Sequence, residues 1–451
     1  MDMYAPLVRN ILYPMWVAKN RSQVLADLEE LERTQYWSPD RIRELQWTQF
    51  QRLISHAYST CAFYKARFDS VGLRPEDLRS PDDISRVPLT TKEDIQDYWE
   101  QMISTNYRPE QLLKDMTGGS TGSPMTFYYD RRRLDSRDGA MMRHDRWSGW
   151  DIGDKVGILW GATRDRQFYT GLKDRLRNLL LKRHLLLDAS SFDEALMAQF
   201  AKSLAEYRPK IILAYAGMMG LFAEYVKRAG SDLIRPQAII TSAEVLSPDS
   251  RRTIEETFHC PVLNRYGCRE FSVIASECTQ RKGMHINAEN LLVEVLPKGS
   301  YGDQGEGEIV ITDLKNYAMP LIRYRIKDVG AFLPGTCPCG RGLPLMTISG
   351  GRTTDFLTAT NGRRVSGVVL ATYVITNIPG IKQVQFVQTE RRKTTIKLVK
   401  GREWNGHSIE ILRRRVGDYL GEEMQLECTY QEIIPPEQSG KYRFSMATVS
   451  S

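Results

Sequence analysis

The sequence predicts an α/β fold: a large N-terminal domain with a parallel sheet flanked by helices and a β-rich portion, followed by a small α+β domain. Apolar runs of strand length at 156–160, 211–215, 238–241 and 262–266 alternate with helical stretches such as 194–207. Strands that alternate with helices at this spacing form parallel sheets. The 451 residues also exceed what one hydrophobic core usually holds, so at least two domains are expected.

The elements follow in order along the chain. Residues 1–110 are expected to be the helical part of the large domain, with Val24, Leu28 and Leu31 at helical spacing. Residues 111–354 hold the sheet and the β-rich portion. There Ser247 and Pro248 predict the start of a helix, and the apolar alternation over 291–312 predicts a hairpin. Residues 355–451 predict the small domain, with a hairpin near 384–399, a helix near 406–419 and a strand near 424–430.

Composition favours a cytoplasmic protein. The seven cysteines are an odd number, and the chain starts without a basic-then-apolar leader, so neither secretion nor a disulfide framework is expected. No apolar run reaches the ~18 residues that a membrane span requires, so no membrane partner is expected. The formal charge of +7 is dispersed except at 131–133 and 413–415. These basic runs are solvated faces or contacts for an anionic ligand such as CoA, and no motif indicates nucleic-acid binding.

The most informative segment is a glycine-rich run at 117–124, which reads Thr-Gly-Gly-Ser-Thr-Gly-Ser-Pro. Glycines let successive backbone N–H groups converge on an anion, and hydroxyl side chains add donors. The run therefore indicates a phosphate-binding loop, with a flexible surface loop as the alternative. It is not a Walker A loop, because Gly122 is followed by Ser123 and Pro124 rather than by Lys and Ser/Thr.

Three later segments carry further candidate residues. In Asn264–Glu270, Tyr266 is suited to stack on a base and Glu270 to hold Mg2+. Asp328, five residues after Arg323, is suited to bind ribose hydroxyls. Near the C-terminus, Lys441 lies on a glycine-flanked turn. Each signal is weak alone, and their order along the chain is the stronger one.

This order resembles the adenylate-forming superfamily of acyl-CoA synthetases, adenylation domains and luciferases. It is most similar to the phenylacetate–CoA ligase branch, which includes capsule-biosynthesis adenylating proteins. The resemblance extends over nearly the whole chain, including 56–58, 63–64 and Pro88–Lys92. It implies a ligase that activates a carboxylic acid with ATP as acyl-AMP and then transfers the acyl group to CoA. An amine or a carrier protein is the alternative acceptor. The oligomeric state, including a homodimer, stays open.

The resemblance also implies roles for individual residues. Lys441 would stabilise the adenylation transition state, Glu270 would bind Mg2+, and Asp328 would bind ribose. Tyr266 and Gly267 would frame the adenine together with the turn Ser242, Ala243 and Glu244. The β- and γ-phosphates of ATP would lie on the loop of Thr117, Gly118, Gly119, Ser120, Thr121 and Gly122.

The resemblance also bears on position 269 and on the junction between the two domains. Most of the superfamily has a threonine before the magnesium-binding glutamate, whereas this chain has Arg269. Arg269 would contact the α-phosphate or, alternatively, form a structural salt bridge. The junction between the two domains matches Gly351–Asp355. There Arg352 is a candidate nucleotide contact and Asp355 is the candidate hinge, about which the small, mobile C-terminal domain would rotate.

A second constellation is independent of the nucleotide. Cys278 and His285 are followed by Cys337 and Cys339, and three thiolates with one imidazole complete a closed tetrahedral zinc shell. A closed shell favours a structural ion, and the alternative is that these are ordinary buried residues.

The acyl pocket is the least defined part of the site. Strand ends are where open α/β sheets place ligands. The candidates are Trp160, Gly161, Tyr215 and Ala216, with plain core packing as the alternative. An aromatic or otherwise compact acid fits this branch better than a long fatty acid.

Overall fold

The computed structural model describes residues 2–117, 125–160, 171–188, 191–297, 305–350, 356–367, 370, 378, 380–401, 404–434 and 444–447. The candidate residues Gly118, Gly119, Ser120, Thr121, Gly122, Gly161, Arg352, Asp355 and Lys441 lie outside these ranges.

The N-terminal part is helical, as predicted. Side-chain caps start two of these helices: Ser38 accepts from the Arg41 N–H, and Thr91 forms a capping box with Asp94. The α-helices are α1 (Tyr4–Leu7), α2 (Tyr13–Lys19), α3 (Val24–Thr34), α4 (Pro39–Thr60), α5 (Ala62–Ser70) and α6 (Lys92–Met102). A π-helical segment spans Val8–Leu12, and 3₁₀ turns span Pro75–Asp77, Pro81–Arg86 and Pro109–Gln111.

Within the described residues, the main sheet has eleven strands in the order β11-β12-β13-β14-β10-β9-β8-β7-β6-β3-β4. Strands β4, β3, β6, β7 and β8 pair in parallel, and from β8 onward the pairing is antiparallel. The strands are β3 (Val156–Trp160), β4 (His184–Asp188), β6 (Ile211–Tyr215), β7 (Ala238–Ser242), β8 (Val262–Cys268), β9 (Ser272–Glu277), β10 (Met284–Ile286), β11 (Leu291–Pro297), β12 (Gly307–Asp313), β13 (Tyr324–Leu333) and β14 (Leu345–Gly350).

Helices connect the parallel strands, and both faces of that half of the sheet are buried. Ile211 and Ile240 pack in one core with Val8 and Leu28, whereas the alternating residue Ile212 packs in a second core. This burial on both sides explains why the strands read as continuous apolar runs. The remaining large-domain helices are α7 (Arg131–Arg146), α8 (Leu172–Arg177) with a π segment Asn178–Lys182, α9 (Glu194–Tyr207), α10 (Ala216–Arg228) and α11 (Pro248–Phe258).

Smaller sheets complete the described chain. Antiparallel β1 (Leu113–Met116) and β2 (Thr126–Tyr129) flank the glycine run, and β5 (Ser191–Phe192) joins β15 (Phe356–Thr358) and β16 (Arg364–Ser366). The C-terminal part has its own core. There α12 (Gly406–Leu420) accompanies β17 (Ile381–Glu390), β18 (Lys393–Lys400), β19 (Gln425–Tyr430) and β20 (Ser445–Ala447). None of the helices in the described ranges has the length and apolarity of a membrane span.

The basic run at 131–133 is solvated only in part: Arg131 and Arg132 are exposed, as predicted, whereas Arg133 is buried. The run begins α7, whose N-cap is Asp130. Arg133 is 1% exposed, and its Nε lies 2.7 Å from Asp313 Oδ2. Arg132 forms an ion pair with Asp27. The partners are far away in sequence, so the local charge pattern could not indicate burial.

Candidate active site and metal centre

Four candidate residues lie at the carboxyl ends of neighbouring parallel strands. Trp160 ends β3, Tyr215 ends β6, Ser242 ends β7, and Tyr266 lies near the end of β8. Tyr215 and Ser242 are directly paired between β6 and β7. In an open parallel sheet this edge forms the ligand crevice. The structure thus places the adenine candidates Ser242 and Tyr266 and the acyl-pocket candidates Trp160 and Tyr215 at one edge of the sheet.

The acyl-pocket candidates include an aromatic pair. The rings of Trp160 and Tyr215 have centroids 4.1 Å apart and are tilted by 39°. Tyr215 and Ala216 are buried, and Trp160 is half-buried. The pair places aromatic side chains near the strand ends, and the packing of Tyr215 in the core also fits a structural role.

The turn after β7 braces the following elements. Ala243 adopts a left-handed conformation (φ 68°), which is uncommon for a residue with a Cβ. Ser242 Oγ donates to the Arg265 carbonyl at 3.1 Å. Glu244 Oε2 accepts from the Gly217 N–H at 2.6 Å, near the start of α10, where a carboxylate is favoured by the helix dipole. These bonds hold β7, β8 and α10 in fixed relation.

A hydrogen bond joins the adenine and ribose candidates. Tyr266 Oη donates to Asp328 Oδ2 at 2.8 Å, which brings β8 and β13 together across the sheet. Gly267 follows at a bulge, where an added Cβ would lie 2.3 Å from the Ser272 carbonyl oxygen. Only glycine fits this close approach of the two backbones.

Arg269 and Glu270 lie on the half-buried turn between β8 and β9. The Arg269 carbonyl accepts from Arg137 Nη2 at 2.8 Å, and Arg269 Nη1 lies 3.9 Å from Asp115 Oδ1. Burial, with the nearby Glu270 carboxylate, raises the pKa of the Cys268 thiol well above its usual value. Cys268 is therefore neutral and unsuited to act as a nucleophile.

The residues at the start of the glycine run and just after it, Thr117 and Met125, are hydrogen-bonded to each other. The Thr117 N–H donates to the Met125 carbonyl at 2.9 Å, and the Met125 N–H donates to Thr117 Oγ1 at 3.0 Å. Thr117 is buried, and its hydroxyl helps to hold positions 117 and 125 together. Sequence reasoning predicted a phosphate-binding loop here but did not single out Asp115 on β1 or Arg137 on α7. Neither residue lies in a motif, so no local signal could have found them.

The four metal candidates converge. One ligand atom from each of Cys278, His285, Cys337 and Cys339 lies within 4.8 Å of all the others. Cys278 Sγ lies 3.7 Å from Cys337 Sγ, and Cys339 Sγ lies 3.3 Å from His285 Nε2. Zn–S bonds of about 2.3 Å in a tetrahedron place two sulfurs ~3.8 Å apart. The sulfur spacing fits a shared ion and is far too long for a disulfide.

Burial sets the protonation of the ligands in this cluster. It raises the pKa of Cys278 to about 12, so the thiolate of Cys278 forms only when a cation is bound. Burial with the nearby charge of Arg341 lowers the pKa of His285 to about 4. The imidazole is therefore neutral, as a metal ligand must be. Trp147 contacts His285 edge-on at 5.4 Å. The ligands come from the end of β9, from β10 and from the segment before β14, so an ion would tie these three adjacent strands together.

Comparisons with known proteins find relatives over most of the chain. Residues 357–447 match the family model described as the CapK C-terminal domain. The chain is 26% identical over 340 residues to a phenylacetate–coenzyme A ligase of Pseudomonas putida, covering 74% of this chain and 75% of that protein. It is 28% identical over 344 residues to the Aromatoleum evansii ligase of the same name, covering 73% and 74%. Protein CapK of Staphylococcus aureus is 25% identical over 415 residues, covering 90% and 89%.

Solved structures share the fold. A 2-hydroxyisobutyryl-CoA ligase in complex with 2-HIB-AMP and CoA superposes with a TM-score of 0.60 at 18% identity, covering 90% of each chain. An open conformation of that ligase gives a TM-score of 0.57, covering 90% and 91%. The sequence relatives and the match over residues 357–447 make this chain similar to the phenylacetate–CoA ligases and CapK, and support the adenylate-forming superfamily; the solved structures show that the fold is shared.

Proposed function

We propose that this protein is an AMP-forming acid–CoA ligase. A carboxylate oxygen attacks the α-phosphorus of ATP and displaces pyrophosphate, giving an acyl-AMP. The sulfur of CoA then attacks the acyl carbon and AMP leaves. The observation that carries the proposal is the Tyr266–Asp328 hydrogen bond of 2.8 Å, beside the carboxyl ends of the parallel strands. It joins an aromatic ring suited to adenine with a carboxylate suited to ribose hydroxyls.

The first step needs charge neutralisation above all, because a carboxylate approaches a polyanion. Glu270 would hold Mg2+, which when bound neutralises phosphate charge. The loop that starts at Thr117 would supply backbone donors, and Lys441 would stabilise charge in the transition state. Ser242, Ala243, Glu244 and Gly267 would shape the adenine pocket, and Arg352 would contact the nucleotide. We assign Arg269 to holding the turn that carries Glu270, in keeping with its contacts to Arg137 and Asp115.

The acid is aromatic or otherwise compact. The aromatic pair Trp160 and Tyr215 supports this choice, as aromatic side chains near the strand ends suit contact with a ring. Two of the sequence relatives are named phenylacetate–coenzyme A ligases, which agrees with it.

We further propose that Cys278, His285, Cys337 and Cys339 hold a structural zinc. With four protein ligands the shell has no open position for substrate. The ion would stabilise the β-rich portion and take no part in the chemistry.

A second candidate function differs only in the acceptor. An adenylating ligase would pass the acyl group to an amine or a carrier protein. The likeness to Protein CapK over 90% of the chain is the observation in its favour.

A pyrophosphate-release screen over a panel of carboxylic acids, run with and without CoA, tests the proposal. We expect release with a compact aromatic acid and accumulation of a thioester only when CoA is present. Release of AMP that requires an amine but not CoA would favour the second candidate. No pyrophosphate with any acid would contradict both.

A further inference from the structure

The N-terminal helices and the helical segment 172–182 lie side by side. Tyr4 Oη donates to the Leu180 carbonyl at 3.1 Å, and the Arg183 guanidinium lies 5.2 Å from the centre of the Tyr4 ring. On the inner side, Leu12 and Leu181 pack against the same core. We call residues 2–21 and 171–184 together the basic-apolar surface.

Large exposed apolar side chains are concentrated on this surface. It holds eight of the 17 such side chains among the described residues, although it is only 34 residues long. The first segment contributes Met3, Leu7, Ile11 and Met15, which are spaced four residues apart. The second contributes Leu172, Leu176, Leu179 and Leu180, of which Leu172 is 77% exposed. Scattered exposed leucines are ordinary, but a contiguous group of this size marks an interaction site.

The same surface carries most of the net charge of the protein. Its eight Lys and Arg residues and two Asp residues give a formal charge of +6, against +7 for the whole chain. Some of these cations pair locally, as Arg183 does with Asp2 at 2.7 Å. Lys173 and Arg175 are exposed and form no ion pair with any residue in the described ranges. Exposed apolar side chains therefore lie beside two exposed cations that have no ion-pair partner in the part of the chain that the structure describes.

This combination decides between two occupants. A symmetric contact between two copies of the chain would bring the exposed cations Lys173 and Arg175 of both copies together, and like charges at close range repel. Anionic lipid headgroups would instead attract the cations while the apolar side chains enter the acyl boundary, as in interfacial amphipathic helices. We propose that the basic-apolar surface binds a membrane surface that contains anionic lipids. The protein would lie on the bilayer without crossing it.

Flotation with lipid vesicles tests this inference independently of any ligase activity. The full-length protein should float with vesicles of phosphatidylglycerol and phosphatidylcholine and stay unbound with phosphatidylcholine alone. Raising the salt concentration should weaken binding, because screening reduces the attraction of the cations. Failure to float with the anionic vesicles would overturn the proposal.

Matched variants locate the surface. Leu179→Glu should lower the partition coefficient at least tenfold, since it removes an exposed apolar side chain that would enter the bilayer and adds a negative charge. Leu233→Glu changes a side chain that is 73% exposed elsewhere and should bind like the parent. The double change Lys173→Gln and Arg175→Gln should lower binding by about 30-fold, at ~1 kcal/mol per cation. The pair Arg413→Gln and Arg414→Gln is its control.

Light scattering supplies the competing outcome. The membrane proposal would be overturned if the parent protein is a dimer, Leu179→Glu dissociates that dimer, and the parent does not bind vesicles. Those results would assign this face to contact between copies of the chain. Equal flotation of the Leu179→Glu and Leu233→Glu proteins would also overturn the membrane proposal. Unchanged thermal unfolding of both variants establishes that the comparison is between folded proteins.

Discussion

Loss of one thiolate from the Cys/His cluster should release zinc and destabilise the protein. Cys337 is 4% exposed, and its Sγ lies 3.7 Å from Cys278 Sγ. Zinc present at roughly 100 to 1,000 times its dissociation constant stabilises the native state by about 2.7 to 4.1 kcal/mol. At about 2–4 °C per kcal/mol, Cys337→Ser should lower the melting temperature by roughly 5–15 °C. Because the cluster joins three adjacent strands, loss of the ion should destabilise the whole β-rich portion.

The matched control is Cys260→Ser, which replaces a buried thiol outside the cluster. It separates the cost of a buried hydroxyl from the cost of losing the ion. Elemental analysis should find about one zinc per chain in the parent and in Cys260→Ser, and much less in Cys337→Ser. A chelator should lower the melting temperature of the first two proteins only. A metal-free parent whose melting is insensitive to chelator would refute the zinc assignment, as would equal destabilisation by both substitutions.

Three further predictions concern catalysis and pH. Lys441→Ala should slow acyl-AMP formation by roughly 100-fold while turnover of supplied acyl-AMP survives, and equal loss of both half-reactions would reject the role of Lys441. Asp355→Pro should leave adenylation intact and impair thioester formation, since proline fixes the backbone at the proposed hinge; a parental second step would place the hinge elsewhere. Burial, and to a smaller extent the charge of Arg143, lowers the pKa of His144 well below 6.5. As the pH drops below 6.5, this imidazole therefore takes up a proton in the unfolded chain but not in the folded one, and the free energy of unfolding should fall. His144→Gln should flatten that slope by up to about 1.4 kcal/mol per pH unit, and an unchanged slope in denaturant titrations would contradict the assignment.

Regular periodicity made much of the fold predictable. The helix Glu194–Tyr207 and the strand Ile211–Tyr215 have the predicted bounds, because the helix carries an apolar stripe and the strand a continuous apolar run. Ser247 caps α11 as expected, accepting from the Ser250 N–H at 3.1 Å. The predicted hairpins over 291–312 and 384–399 are also present. Local pattern was sufficient wherever the packing partner could be any apolar surface.

Contacts between distant residues could not be read from the chain. Strand β4 was missed, and its edge position leaves only a short apolar run, Leu185–Leu187. The ion pair of Arg133 with Asp313 and the bonds of Arg137 to the Arg269 turn join separate elements. The four zinc candidates were found because thiolates and imidazole have a specific chemistry, and the structure brings them together. The exposed residues of the basic-apolar surface gave no signal, since exposure depends on what the rest of the fold covers.

The central claim is that the carboxylic acid is activated through an enzyme-bound adenylate that CoA then consumes. A single-turnover reaction with α-labelled ATP and a productive acid, quenched before and after addition of CoA, measures this directly. We predict labelled acyl-AMP before CoA, and labelled AMP with one equivalent of thioester after it. Formation of ADP with an acyl phosphate, or an acyl-AMP that persists in the presence of CoA, would contradict the account.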